Sequence, residues 1–90
     1  MIEEAPWTEA ERKFPKGSIV SGVVKSTHPF GFYLELEGGF NGLVEIVQFR
    51  KSGRVVEQDF PRVGTTVNAL VLGHRLRNRI IYLSTKAIEP

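Results

Sequence analysis

The 90-residue sequence contains no cysteine, one methionine and one tryptophan. Without cysteine the chain has no disulfide framework, no thiolate nucleophile and no sulfur ligand for a metal ion, and a reducing compartment is the simplest expectation. We therefore expect a cytoplasmic location. The sequence also has no apolar run of membrane-spanning length, and four glutamates near its start are the reverse of a signal peptide, so we expect neither export nor membrane association.

Residues that carry catalysis are scarce as well. The two histidines, His28 and His74, are far apart in the sequence, and no serine lies in a nucleophile-elbow context. The adjacent glutamates at positions 3 and 4 and the alternating Glu35 and Glu37 have no base or metal ligand at a spacing that a reaction would need. We therefore expect no enzymatic activity, no metal site and no cofactor.

The composition nevertheless predicts a folded chain, with 41% hydrophobic and 24% charged residues. Its length suits one domain. The net charge is only +2, but the segment from Pro15 to Lys86 contains ten basic and five acidic residues, an excess of +5. A positive body suits a polyanionic partner, although such an excess is also common in proteins that bind nothing charged.

The first 14 residues differ from the rest and are predicted to form an N-terminal extension to a domain at residues 15–90. Thr8 stands three residues before Glu11, a capping-box spacing that favours a short helix, and Pro15 would end it. Trp7 and Phe14 would then dock on the body of the protein. A disordered tail is the alternative.

From Gly17 onward the sequence alternates with a period of two, which predicts five short strands. The Thr27-His28-Pro29 segment is expected to interrupt the first strand, and Gly38-Gly39 to form a tight hairpin turn. Residues 48–64 read as a long polar connection with at most one short helical turn. Val20, Gly22 and Val24 share one side of the first strand, and Phe32, Leu34 and Leu36 share the inward side of the second. The later strands show the same period at Val67, Ala69, Val71, Ile81 and Leu83. Five strands without a long helix favour a closed barrel, since closure removes exposed edges.

Five segments in this order resemble the RNA-binding domain repeated in ribosomal protein S1, a branch of the OB-fold. They are residues 17–24, 30–34, 42–46, 60–64 and 81–86. The resemblance covers residues 15–86 and implies an all-β, five-stranded antiparallel OB-fold barrel with a short N-terminal extension.

The same resemblance places Phe30 and Tyr33 at positions that stack on bases in the family. Stacking suits single strands of any sequence, because every base has a π-face. Simple alternation would turn Phe30 inward with Phe32, but a bulge or bend at Gly31 would let it face outward beside Tyr33. The plain alternative for Tyr33 is a half-exposed sheet aromatic.

Three arginines, Arg75, Arg77 and Arg79, alternate in the loop before the last strand. In an extended loop they would share one side and contact phosphates or bases. Lys25 and His28 would extend this basic patch. The alternatives are a solvated hairpin tip for the arginines and an ordinary turn residue for His28.

Glu45 departs from the family, in which a histidine is frequent after Gly-Leu-Val. A carboxylate there repels phosphate, but it can accept a hydrogen bond from a cytosine or guanine amino group and so modulate base preference. A solvated strand residue is the alternative. Val47 replaces the usual serine and leaves an apolar spot for a protein partner.

The sequence therefore predicts a monomeric single-stranded RNA-binding module of low sequence specificity, acting in translation or RNA metabolism through aromatic stacking and a basic rim. The ribosome or an RNA-processing protein is a further expected partner. The alternative is a protein-interaction module that docks on the ribosome or another complex with weak or no RNA binding. Its contacts would be Leu43, Val47, Ile80 and Tyr82.

Overall fold

A computed structural model describes the backbone of residues 4–75 and 79–89 and the side chains of residues 9–75 and 79–89. Within these residues one helix, α1, precedes five strands, and short 3-10 turns lie between strands and after the last one. The elements are α1 (Glu4–Lys13), β1 (Ile19–His28), β2 (Gly31–Glu35), β3 (Asn41–Glu45), β4 (Thr66–Arg75) and β5 (Ile80–Ser84).

The five strands close into a barrel in the order β1-β2-β3-β5-β4. Four of the strand pairs are antiparallel, but β3 and β5 run parallel, with Leu43 beside Tyr82. The predicted barrel is confirmed, and the prediction that it is antiparallel throughout is wrong. The reason is geometric: strand directions cannot alternate all the way around a ring with an odd number of strands. One pair in a closed five-stranded barrel must therefore be parallel.

The interior of the barrel holds alternate side chains of the predicted strands. Phe32, Leu34, Ile81 and Leu83 are fully buried. Phe32 also packs against Phe49 and Phe60 from the long connection, with ring centroids 5.8 and 5.1 Å away. The core therefore extends from the strands into the segment between β3 and β4.

The connections differ from the prediction in one place. Strand β1 is not interrupted at Thr27 but continues through His28, with a register shift between Val24 and Ser26. Because Pro29 follows the last paired residue, its missing amide proton costs no strand hydrogen bond. The connection at residues 48–64 contains the 3-10 turn Glu57–Asp59, in agreement with the one short helical turn expected there, and another 3-10 turn, Ile46–Gln48, leads into it. Gly38 and Gly39 have the predicted positive φ angles, 82° and 81°.

The helix α1 covers Glu4–Lys13, so Thr8 lies inside it and is not its N-cap, and it ends at Lys13, before Pro15. The Trp7 side chain lies outside the described residues. Ala10 and Phe14 are buried within the core cluster. The rings of Phe14 and Phe40 meet edge-on, with centroids 5.7 Å apart. The backbone carbonyl of Phe14 accepts a hydrogen bond from His74 Nε2 at 2.7 Å. The division at residue 14 stays a prediction.

Replacing Phe14 with alanine is expected to lower the free energy of unfolding by about 3 kcal/mol, the lower end for a buried Phe→Ala change, because α1 can partly settle into the cavity. Urea denaturation followed by circular dichroism measures this loss. Glu9→Ala, an exposed change on the same helix, is the control and should leave the midpoint nearly unchanged. Equal midpoints for the two variants would show that α1 adds nothing to the stability of the barrel.

Candidate nucleic-acid interface

Three rings meet at the point where β1 ends and β2 begins. The rings of His28 and Phe30 stack almost parallel, with centroids 5.0 Å apart and planes 7° apart. Tyr33 meets both edge-on, 5.6 Å from His28 and 6.2 Å from Phe30. Phe30 is 50% exposed. A large apolar ring of this exposure, held beside two others, presents a surface on which a base can stack.

Gly31 is what allows Phe30 to face outward. Its φ angle is 154°, and a Cβ atom there would lie 2.3 Å from the carbonyl oxygen of Val44. The Phe30 carbonyl accepts a hydrogen bond from the amide of Ile46 at 2.8 Å, which holds the bend against the end of β3. The chain therefore turns at Gly31 before regular alternation starts at Phe32, as the sequence suggested.

A row of side chains crosses the middle of the same outer surface. Tyr33 is in register with Leu43, and Leu43 with Tyr82. Each of these three residues lies between inward-facing neighbours, so their side chains share the outer side of the sheet. The guanidinium carbon of Arg75 lies 5.1 Å from the centroid of the Tyr82 ring, at cation-π distance. We call Phe30, Tyr33, Leu43 and Tyr82 the aromatic face, after its three rings.

Cationic groups lie at the opposite edge of the aromatic face from His28. Lys25 Nζ donates a hydrogen bond to Asn41 Oδ1 at 2.6 Å, and Asn41 is in register with Ile80, the partner of Arg75. Arg75 is exposed. Along β2, two residues separate this edge from the row that contains Tyr33, and two more separate that row from the end at His28. The face is therefore roughly 13 Å long. The predicted basic patch of Lys25, His28 and the arginines is therefore divided. Lys25 lies near Asn41 and Arg75 at one edge of the face, which we call the Asn41 edge. His28 lies beside Phe30 at the other, which we call the His28 edge.

The arginine loop is described only in part. Arg79 is exposed and has a φ angle of 56°, in the left-handed region that is uncommon outside glycine. Arg77 lies outside the described residues. The structure thus shows Arg75 against the aromatic face, while a shared side for all three arginines stays a prediction.

Glu45 ends β3 at the His28 edge. It is exposed and in register with Gly31. It thus places a carboxylate next to the rings of Phe30 and Tyr33, one step diagonally from Tyr33.

Sequence reasoning did not place Tyr82, Leu43 or Asn41 on the surface with Tyr33. Tyr82 and Leu43 were assigned instead to the alternative protein-docking surface. The missing information was the parallel pairing of β3 and β5, which brings residues about 40 positions apart into one row. Leu43 is only 7% exposed, whereas Val47, also assigned to protein docking, is 65% exposed.

Within residues 9–75 and 79–89, no three His, Asp or Glu side chains are grouped so that they could hold a metal ion. Over the described part of the chain, no helix combines the length and the apolar character needed to cross a bilayer.

A closed five-stranded barrel whose outer surface carries the rings of Phe30, Tyr33 and Tyr82, with the cations Lys25 and Arg75 at one edge, is typical of nucleic-acid-binding OB-folds. The family model of the S1 RNA binding domain matches residues 13–86. The chain belongs to this family.

The similar proteins include regions of much longer chains. Over 81 residues the chain is 33% identical to the small ribosomal subunit protein bS1 of Chlamydia trachomatis, covering 90% of this chain and 14% of that protein. It is also 33% identical over 88 residues to 4-hydroxy-3-methylbut-2-enyl diphosphate reductase of Clostridium acetobutylicum, covering 98% of this chain and again 14% of the relative. The chain thus spans about a seventh of the length of each of these relatives.

Among solved structures, the chain is similar to a chain in the crystal structure of the a/eIF2alpha-aDim2p-rRNA complex from Pyrococcus horikoshii OT3. The TM-score is 0.74 and the sequence identity 26%, over 82% of this chain and 45% of that chain. This likeness supports the barrel assignment.

Proposed function

We propose that this chain binds single-stranded RNA on the aromatic face, with bases stacking on Phe30 and Tyr33 and phosphates paired with cations at its edge. The observation that carries the proposal is the exposed Phe30 ring, which is stacked on His28 and held beside Tyr33. Folding normally buries a phenylalanine side chain, so a half-exposed ring held outward by a glycine bend is suited to a ligand.

The distribution of charge supports the same ligand. Lys25 and Arg75 lie about 13 Å from the His28 edge, so a strand crossing the face could stack bases at one end while its backbone meets cations at the other. Arg75 already lies on the Tyr82 ring, and a guanidinium in that position can contact a phosphate without leaving the ring. Stacking and charge together favour single strands, whose bases are free to splay out.

In this proposal the chain is a binding module that performs no chemistry of its own. It acts as a monomer in the cytoplasm, in translation or RNA metabolism, and the ribosome or an RNA-processing protein is a further partner. The membership in the S1 RNA binding domain family supports this role. The similarity to a region of a reductase is compatible with it, because that region is a small part of the enzyme.

A protein-docking role is the second candidate, and the exposure of Val47 is the observation in its favour. Val47 is 65% exposed and follows Ile46, whose backbone amide donates a hydrogen bond to the Phe30 carbonyl. An apolar side chain in this place would suit a protein surface that covers the His28 edge.

The affinity for a short unstructured RNA is expected to fall as salt rises, because each phosphate paired with a cation releases counterions. Lys25→Ala and Arg75→Ala should each lower the slope of log affinity against log salt by about 1. Fluorescence anisotropy over a range of potassium chloride concentrations measures the slope.

Lys16→Ala is the matched control, since Lys16 is an exposed cation that precedes β1 and belongs to none of the strands that form the aromatic face. It should leave the slope nearly unchanged. No binding by the parent protein at low salt would reject the RNA-binding proposal and favour protein docking instead.

A further inference from the structure

Glu45 occupies an unusual position on the aromatic face. Its register partner across β2 is Gly31, so no side chain of that partner covers Glu45. Close backbone packing explains the glycine: a Cβ at Gly31 would lie 2.9 Å from the Cα of Glu45. Phe30 and Tyr33 lie on either side of Gly31 in sequence. A base stacked on these rings would therefore have its edge toward the Glu45 carboxylate.

The carboxylate is available to a ligand. Among the side chains of residues 9–75 and 79–89, Glu45 has no hydrogen bond or ion pair, and it is exposed. By contrast, Lys25 and Asn41 at the other edge of the face satisfy one another at 2.6 Å. An ionised carboxylate accepts hydrogen bonds through two oxygens and donates none. It therefore repels phosphates, and its favourable contacts with RNA are confined to base edges rich in donors.

Only one of the four bases presents two adjacent donors on its Watson-Crick edge. Guanine offers N1–H and the N2 amino group side by side, which match the two oxygens of a carboxylate. Cytosine and adenine each offer one amino group next to an acceptor nitrogen, and uracil offers one N–H between two carbonyl oxygens. A carboxylate thus forms two hydrogen bonds with guanine and at most one, with a repulsive neighbour, with the others.

We propose that Glu45 gives the site a preference for guanine at the base stacked on Phe30 and Tyr33. This inference rests on the proposed RNA-binding function and replaces low sequence specificity with selection at one base. The rest of the face, which stacks and pairs charge, still accepts any sequence. A bidentate contact of this kind discriminates against the wrong base by roughly tenfold, within a wide range.

The test uses short uridine-rich RNAs that differ at one central position, which holds guanine, inosine, adenine, cytosine or uracil. Inosine keeps the N1–H of guanine and lacks the N2 amino group. Anisotropy at a fixed low salt concentration should give the tightest binding for guanine, about tenfold tighter than for uracil, with inosine well below guanine. Equal affinity for guanine and inosine, or equal affinity for guanine and cytosine, would overturn the proposal.

Two glutamate variants separate this residue from general charge effects. Glu45→Gln should remove most of the preference for guanine while binding to the all-uridine RNA stays the same or improves, because a repulsive charge is gone. Glu35→Gln is the matched control, since Glu35 is an exposed glutamate of β2 at the Asn41 edge. It should keep the preference. A preference that survives Glu45→Gln would reject the role of Glu45, whereas failure of every RNA to bind would reject the proposed function itself.

Discussion

Replacing Tyr33 with alanine is expected to weaken the binding of a short unstructured RNA by about 1–3 kcal/mol, and Phe30→Ala to have an effect of the same size. Both side chains present a ring to a base, and an alanine methyl group has no π-face to replace it. Tyr33 also supports Phe30, whose ring is 6.2 Å away. The two losses should therefore combine less than additively in the double variant, because each ring positions the other. Fluorescence anisotropy at low salt measures all three affinities.

Ile19→Ala is the control for these variants. Ile19 is an apolar side chain with 61% exposure on β1, where that strand pairs with β4 rather than β2. Removing it should leave RNA affinity within the error of the parent protein. A Tyr33→Ala variant that folds and binds RNA as tightly as the parent would show that RNA, if bound, contacts another surface.

The largest effect on stability is expected from Phe32→Ala, which should lower the free energy of unfolding by about 4–5 kcal/mol. Phe32 is fully buried and touches the rings of Phe49 and Phe60 as well as the strand interior. Because these neighbours are themselves packed against the rest of the core, they cannot move to fill the cavity that alanine would leave. Since domains of this size have a total stability of roughly 5–13 kcal/mol, the variant would be marginally folded. Thermal unfolding measures the change, at roughly 4–8 °C per kcal/mol.

The comparison that interprets this result is Phe32→Leu. Leucine keeps most of the apolar volume and should cost markedly less than alanine. A similar melting temperature for the alanine variant and the parent would show that the ring cluster of Phe32, Phe49 and Phe60 does not hold the long connection against the barrel.

The barrel and its inner face were predictable from sequence because strand alternation is a local signal. Phe32, Leu34, Ile81 and Leu83 each stand between polar or outward residues, and the pattern alone assigns them to the interior. The bend at Gly31 was also open to sequence reasoning. Alternation and the resemblance to ribosomal protein S1 demanded opposite directions for Phe30, and only a glycine between Phe30 and Phe32 could satisfy both.

Which residues make up the aromatic face was harder to predict from sequence, because that depends on paired strands that are distant in sequence. Tyr82 joins Tyr33 through Leu43 only after β5 has been placed parallel to β3. A closed barrel with an odd number of strands must contain a parallel pair, but the number of strands does not give the register of that pair. The part of α1 that precedes Thr8 escaped prediction for a different reason. Thr8 offers a local cap, but burial of Ala10 and Phe14 in the core stabilises a longer helix.

The parallel pair of β3 and β5 also determines when the protein can complete its fold. The last strand inserts between β3 and β4, so neither of these has its second neighbour until residues 80–84 are available. During synthesis, the ribosome releases this stretch after every other strand. Up to that moment the nascent chain carries two unpaired edges that can pair with another molecule. The contact that closes the barrel spans about 40 residues, so its loop-closure entropy slows folding relative to a hairpin-built sheet of equal size. Closure is thus the step in which this small domain is most exposed to misassembly.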